Sequence, residues 1–325
     1  MEYKIFHNIV SGDMDITLVL GKIRLSKDEY IEIEVMSLGA GIRRISYVNT
    51  ALGVVKLLTL SYDDIAESCH NDSLAGLTIG PNAGRLKAKE DITFVDGDDT
   101  LTINLPANED GYKQIHGGEH NLAKRNWEFD GVTEIDGGIE VRFSTKQEDG
   151  LDGWPGNRKY EIRYRICDNG RFEISLSGIT DKTTYINMTN HTYWLRDGLN
   201  LKINAYKMVE NQGDFLPIGM TEVVSMYIDS NAVLNNAFLI NEDPAAKLTY
   251  SDIPLTITMS TDAPAVVVYT GDYLDNTSVL YNKKTCSPGC AIALEPQEFY
   301  PCTDTKLTCK DKNFKRIIAL HFTGC

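Results

Sequence analysis

Tyr160-Glu161-Ile162-Arg163-Tyr164-Arg165-Ile166, then Asp168-Asn169-Gly170, then Phe172-Glu173-Ile174-Ser175-Leu176 is the stretch from which the fold is read. Apolar and polar residues alternate at period two through both arms, the pattern of strands with one buried face. The Asp-Asn-Gly between them is a turn signal, so the arms are expected to form a hairpin. Ile162, Tyr164 and Ile166 then share one face of the first strand, and Phe172, Ile174 and Leu176 share one face of the second.

The same pattern recurs on both sides. Ile92-Thr93-Phe94-Val95 leads through Asp96-Gly97 into Leu101-Thr102-Ile103-Asn104-Leu105, a second hairpin. Further strands are expected over Ile31 to Met36, Gly138 to Ser144, Leu199 to Tyr206, Leu255 to Met259, Ala265 to Tyr269, Ala291 to Leu294 and Arg316 to Phe322. Helical periodicity is confined to short pieces around Ser61 to Cys69 and Asp229 to Asn236. With no internal repeat or Pro/Ser-rich linker, residues 1–325 are expected to form a single all-β domain: a large antiparallel β-sandwich with a few short helices.

Composition narrows the function. Hydrophobic residues at 42% and charged residues at 24% are ordinary for a globular protein, which disfavours disordered and fibrous classes. The net charge of −14 disfavours tracking of nucleic-acid phosphates or binding to an anionic membrane, both of which need basic patches. A neutral small molecule fits better. Apolar clusters such as Val54 to Leu60 and Ile317 to Leu320 are far shorter than the ~20 residues that span a bilayer, so no membrane segment is expected. Met1 to Asn8 lacks the pattern of a secretory signal. Seven cysteines without metal-type spacing read as reduced thiols, and the expected location is cytoplasmic.

Two of the six histidines stand in distinctive settings. His116 lies in Gln114-Ile115-His116-Gly117-Gly118, where the glycines let the backbone bend and a ligand approach. His191 lies in Asn187-Met188-Thr189-Asn190-His191-Thr192-Tyr193-Trp194; Asn190 and Thr189 are placed to fix its tautomer, and Tyr193 and Trp194 offer flat surfaces for a sugar ring. Histidine exchanges protons near neutrality, so both are candidates for acid–base work. Glu295 ends the apolar run Ala291-Ile292-Ala293-Leu294, where burial would raise its proton affinity toward that of a working base unless it pairs with a cation such as Arg85. Arg85 follows Gly80-Pro81-Asn82-Ala83-Gly84, and its guanidinium can grip hydroxyls as a fork.

Two other chemistries fit less well. Glycoside hydrolysis needs two carboxylates flanking the scissile bond, for which Glu295 with Asp272 or Glu298 are the available pairs, but it would leave the histidines idle. A metal site on a β-scaffold would have to draw on His116, His120 and His321 without the close His-x-His pair, so no metal is expected.

Taken in order along the chain, GPNAGRL at Gly80 to Leu86, QIHGG at Gln114 to Gly118, DGLDGWPGN at Asp149 to Asn157, NMTNHTYW at Asn187 to Trp194, VVVYTGDYL at Val266 to Leu274 and ALEPQ at Ala293 to Gln297 resemble the aldose 1-epimerase (galactose mutarotase) family. The resemblance implies a galactose-mutarotase-like supersandwich that interconverts the α and β anomers of a free hexose without a cofactor. By the family pattern, Glu295 takes the proton of the anomeric hydroxyl and His191 protonates the ring oxygen. His116 and Arg85 orient the sugar and stabilise developing charge, and Tyr193 lines the pocket. The sugar-binding shell departs from that pattern: Gly84 stands where many members carry Asn, Asn235 where an aspartate grips hydroxyls, and Val267 where a glutamine is usual. The expected partner is a small-molecule aldose, with no nucleic acid and no membrane, and the expected assembly is a monomer or homodimer. A hexose-6-phosphate 1-epimerase, with Arg196 or Lys113 receiving the phosphate, and a non-catalytic carbohydrate-binding protein are the competing readings.

Overall fold

The computed structural model describes residues 2–324 apart from 12–13, 64, 66–67, 69–72, 212, 214, 230, 275–278, 281–283 and 300–305. The hairpin from which the fold was read is present residue for residue. Arg158–Cys167 pairs antiparallel with Arg171–Thr180, setting Ile162 opposite Leu176, Tyr164 opposite Ile174 and Ile166 opposite Phe172, all of them buried. The Asp91–Asp96 and Asp99–Asn104 hairpin also forms, as a separate two-stranded sheet.

Three large antiparallel sheets carry the architecture. Five consecutive strands from Tyr3–Ser11 to Val54–Leu57 make a meander. A nine-stranded sheet contains the Arg158–Cys167 hairpin and the long strand Phe314–Gly324. A six-stranded sheet runs, in spatial order, through Tyr193–Leu195, Ala291–Gln297, Ala265–Tyr269, Asn235–Ile240, Ala205–Asn211 and Pro217–Glu222. All three contribute to one hydrophobic core: Val19, Ile33 and Ile45 from the first, Ile162, Phe172 and Ile257 from the second, and Phe238, Val266 and Leu294 from the third. Sheet-on-sheet burial of this kind is the sandwich expected from the sequence.

The strand expected over Leu199 to Tyr206 is two strands. Leu199–Ile203 belongs to the nine-stranded sheet and Ala205–Asn211 to the six-stranded one. Asn204 marks the crossing, its backbone N–H and its side-chain amide donating to Ala245 and Pro244 carbonyls instead of to a ladder. None of the described residues of Asp229 to Asn236, where a helix is expected, is helical. The Asp229 carboxylate accepts from the Asn231 N–H, and Asn235 and Asn236 already belong to the strand Asn235–Ile240. Of the helix expected over Ser61 to Cys69, Ile65 and Ser68 are helical, while residues 64, 66–67 and 69 lie outside the described residues. Among the described residues, the other short helical turns are Leu122–Lys124 and Leu151–Gly153.

Candidate active site

Strand alternation delivers Glu295. In Ala291–Gln297, Ile292 and Leu294 turn into the common core, which sends Glu295 and Gln297 to the opposite face of the sheet. Glu295 is paired in register with Val267, and Val267 with Ala237, so an apolar row leads away from the carboxylate across neighbouring strands. Val209 continues it on the next strand, and all four line an open cleft.

The opposite wall comes from the Gly80-to-Arg85 segment. Asn187 holds it: its backbone N–H donates to Pro81 O, its carbonyl accepts from Ala83 N–H, and its side-chain amide reaches Asn82 Oδ1 at 3.3 Å and Glu298 O at 2.9 Å. The carbonyl of Ala83 then accepts a 2.6 Å hydrogen bond from Nδ1 of His116. Because a carbonyl only accepts, the His116 proton resides on Nδ1 and Nε2 carries a free lone pair. His116 itself adopts φ 55°, and Gly117 follows at φ 85° with its α-carbon pressed against Pro81, leaving no room for a Cβ. That close approach is the structural use of the His-Gly-Gly sequence.

His191 stands just behind the cleft wall. Its ring lies edge-on to His116 with centroids 5.4 Å apart and rests on Tyr193 at 4.8 Å. Its Nε2 is 3.4 Å from Glu295 Oε1, with both side chains 5% exposed. Arg85 lines the cleft above, gripped by Glu109 through Nε at 2.8 Å and Nη2 at 3.0 Å, with Phe215 stacked 4.9 Å from its guanidinium. Lys113 binds the same Glu109 carboxylate at 3.2 Å.

Burial sets the protonation states. Desolvation is the main cause of each shift: it raises Glu295 to about 8, and lowers His191 to about 3 and His116 to about 4. Arg85 works against the Glu295 shift and adds to both histidine shifts. At neutral pH both imidazoles are therefore uncharged and Glu295 retains its proton. Arg85 is not the ion-pair partner of Glu295; its fork is taken by Glu109.

The cleft brings together His116, Glu295, Arg85, Gly84, Asn235 and Val267 of the residues singled out in the sequence. His191 joins them through its contact with Glu295. Tyr193 and Trp194 do not offer sugar-stacking surfaces. Tyr193 is 2% exposed and packs on the His191 ring, and Trp194 is in the common core. Asn190, Thr192 and Trp194 share one side of the chain, which takes Trp194 into the core, and His191 and Tyr193 the other, where Tyr193 packs among Leu60, Tyr62 and Leu274. For the same reason Asn190 does not fix the His191 tautomer. Its amide donates to Gly76 O and its carbonyl accepts from Thr192. Glu109, Asn187, Gln297 and Phe215 were not anticipated. Gln297 was legible from its i+2 spacing to Glu295, whereas Glu109 and Phe215 reach the site only through tertiary contacts. Among the described residues, no group of three or more His, Cys, Asp and Glu side chains is arranged to hold a metal.

A family model described as aldose 1-epimerase matches residues 21–304. The aldose 1-epimerase of Escherichia coli (strain K12) is 29% identical over 242 residues, 64% of this chain and 67% of that protein. The aldose 1-epimerase of Haemophilus influenzae is 30% identical over 230 residues, 60% of this chain and 64% of the relative. Among solved structures, the galactose 1-epimerase of Lactobacillus acidophilus NCFM matches with a TM-score of 0.82 over 99% of both chains at 22% identity, a likeness of fold.

Proposed function

This chain belongs to the aldose 1-epimerase family, and from that premise we propose how it interconverts the α and β anomers of a free aldose: Glu295 and His191 pass one proton between them and the sugar. The observation that carries the reading is the buried 3.4 Å contact between His191 Nε2 and Glu295 Oε1 at the wall of the cleft.

The pair enters the reaction neutral, with its proton on Glu295. Transfer of that proton to His191 creates a carboxylate and an imidazolium without exchange with solvent, and the nearby Arg85 charge favours the carboxylate. Glu295 then removes the hydrogen of the anomeric hydroxyl. The bond between the anomeric carbon and the ring oxygen breaks, its electron pair goes to the oxygen, and His191 protonates that oxygen. The product is the open-chain aldehyde. Rotation about the bond from the anomeric carbon to its neighbour presents the other carbonyl face, and the reverse transfers close the ring as the opposite anomer.

His116 takes a narrower role than the family pattern implies. With Nδ1 committed to Ala83, its Nε2 accepts from a sugar hydroxyl and does not donate to the ring oxygen. Arg85, held by Glu109, presents its remaining N–H groups to the cleft. Asn235 and Gln297 supply neutral amides along the floor.

A phosphorylated hexose has less support. Lys113 is buried and bound by Glu109 and Asp110, Arg196 donates to Asp229 O, and neither lines the cleft. We read residues 1–325 as one domain because the three sheets share a core. We place the protein in the cytoplasm, consistent with the unbridged Cys167, Cys290 and Cys309; no helix among the described residues is long and apolar enough to cross a membrane.

The test is polarimetry on freshly dissolved α-glucose and α-galactose. The protein should accelerate mutarotation, and Glu295→Gln or His191→Asn should remove the excess rate. No acceleration across a broad aldose panel would refute the assignment.

A further inference from the structure

Period two puts Gln297 on the same face of its strand as Glu295, two residues on, and both line the cleft. Nε2 of Gln297 donates to Oε2 of Glu295 at 3.4 Å, and among the described residues this is the one hydrogen bond to that carboxyl group. Its other oxygen, Oε1, faces His191 Nε2. Gln297 is 2% exposed, and a Cβ on Gly84 would lie 3.3 Å from its Oε1, so the carboxamide occupies room that a glycine leaves open.

The two oxygens of a protonated carboxyl are not equivalent: one carries the proton and the other, the carbonyl oxygen, is the better acceptor. An amide N–H on Oε2 therefore makes Oε2 the carbonyl oxygen and leaves the proton on Oε1, aimed at His191. Once that proton has moved to the imidazole, the same N–H serves a carboxylate. It is then a charge-assisted hydrogen bond, stronger than the bond to the neutral acid.

We propose that Gln297 is a positioning residue of the reaction: its amide directs the shared proton to the Glu295 oxygen that faces His191, and it stabilises the carboxylate left when that proton departs. This rests on the mutarotase reading and deepens it, since Gln297 acts through Glu295 and not on the sugar's reacting atoms. The other ionisable groups around Glu295 are His191, Tyr193 and Tyr269 on the strands to either side, Arg85 and His116 across the cleft, and Glu298, whose carboxylate is turned to Arg316 at 3.5 Å. Gln297→Met keeps all of them and much the same side-chain length, and removes only the amide.

The experiment follows kcat and KM for α-glucose and α-galactose by polarimetry across the alkaline limb, with wild type and Gln297→Met. A hydrogen bond to the charged form holds a carboxyl's proton affinity down, so its loss should move the limb up by about one pH unit and lower kcat at pH 7 about tenfold. A rise in KM with the limb in place would make Gln297 a sugar-binding group alone and overturn the proposal, as would a limb that moves down. Infrared spectroscopy gives a reading that does not depend on the folding of that variant. The carbonyl band of protonated Glu295, assigned by its loss in Glu295→Gln, should lie at the frequency of a hydrogen-bonded acid in the wild type and rise in Gln297→Met. A wild-type band at the free-acid frequency would overturn the proposal and leave the mutarotase reading standing. Failure of the wild type to accelerate anomer exchange would remove both.

Discussion

Nε2 of His191 and Oε1 of Glu295 face each other across 3.4 Å in a region closed to solvent. Each group is driven by burial toward its uncharged form, the carboxyl up to about 8 and the imidazole down to about 3. The two therefore hold one proton between them over a wide range. What titrates is the pair, and its state with one proton contains both the acid and the base that ring opening requires.

The pH profile follows from that proton count. Between the two displaced values the pair is singly protonated, so kcat/KM should be nearly flat from about pH 5 to 7 and fall about tenfold per unit above about 8, as the shared proton is lost. A rate that instead rises through pH 8 would mean that Glu295 works as an independently ionised base.

Stability should show the opposite side of the same displacement. The folded-state value of Glu295, about 8, lies above its ordinary 4.5, so from pH 4.5 to 8 the folded chain keeps a proton that the unfolded chain releases. Wild-type stability accordingly declines over that window and levels off above it. Glu295→Gln should be inactive yet more stable, by on the order of a few kcal/mol at pH 8 and by little at pH 4.5. Thermal denaturation at several pH values gives the comparison, and a Tm difference that does not widen with pH would contradict it.

Glu109 should act through Arg85. In Glu109→Gln the bidentate grip is lost and the Arg85 charge is no longer compensated. KM should rise several-fold. Because Arg85 lowers the Glu295 value, the alkaline limb of the rate profile should also move to lower pH. A purely structural role for Glu109 would leave that limb in place.

Gly117 is a backbone requirement of the site. A Cβ there would sit 2.5 Å from Pro81 Cδ and 2.6 Å from Pro81 N, at φ 85°. Gly117→Ala should cost about 1–3 kcal/mol in denaturant unfolding and should weaken sugar binding by parting His116 from Ala83. Wild-type stability together with wild-type KM would show that the segment tolerates the shift.

The parts of this molecule that follow from local alternation were readable before the structure. The 160–176 hairpin and the outward placement of Glu295 depend only on period two. The same rule puts Trp194 in the core but Tyr193 on the Glu295 side of its sheet, where Leu60, Tyr62 and Leu274 cover it; that cover is tertiary, and it leaves no face of the ring for a sugar. Leu199 to Tyr206 read as one strand because its pattern continues through Asn204, where the chain changes sheets. Asp229 suits a helix start and a turn equally, and Asn235 and Asn236 already belong to a strand. Glu109 and Phe215 against Arg85 join segments far apart in sequence, and nothing local announces them.

The central claim is that a Glu295–His191 pair opens the sugar ring, and anomer exchange measures it most directly. Following α-glucose and α-galactose by polarimetry at pH 7, with wild type, Glu295→Gln and His191→Asn at equal concentration, should show acceleration by the wild type alone, each variant losing at least a hundredfold, about the share that positioned acid–base catalysis supplies. Variants that match the wild type, in a protein that does accelerate exchange, would contradict the account.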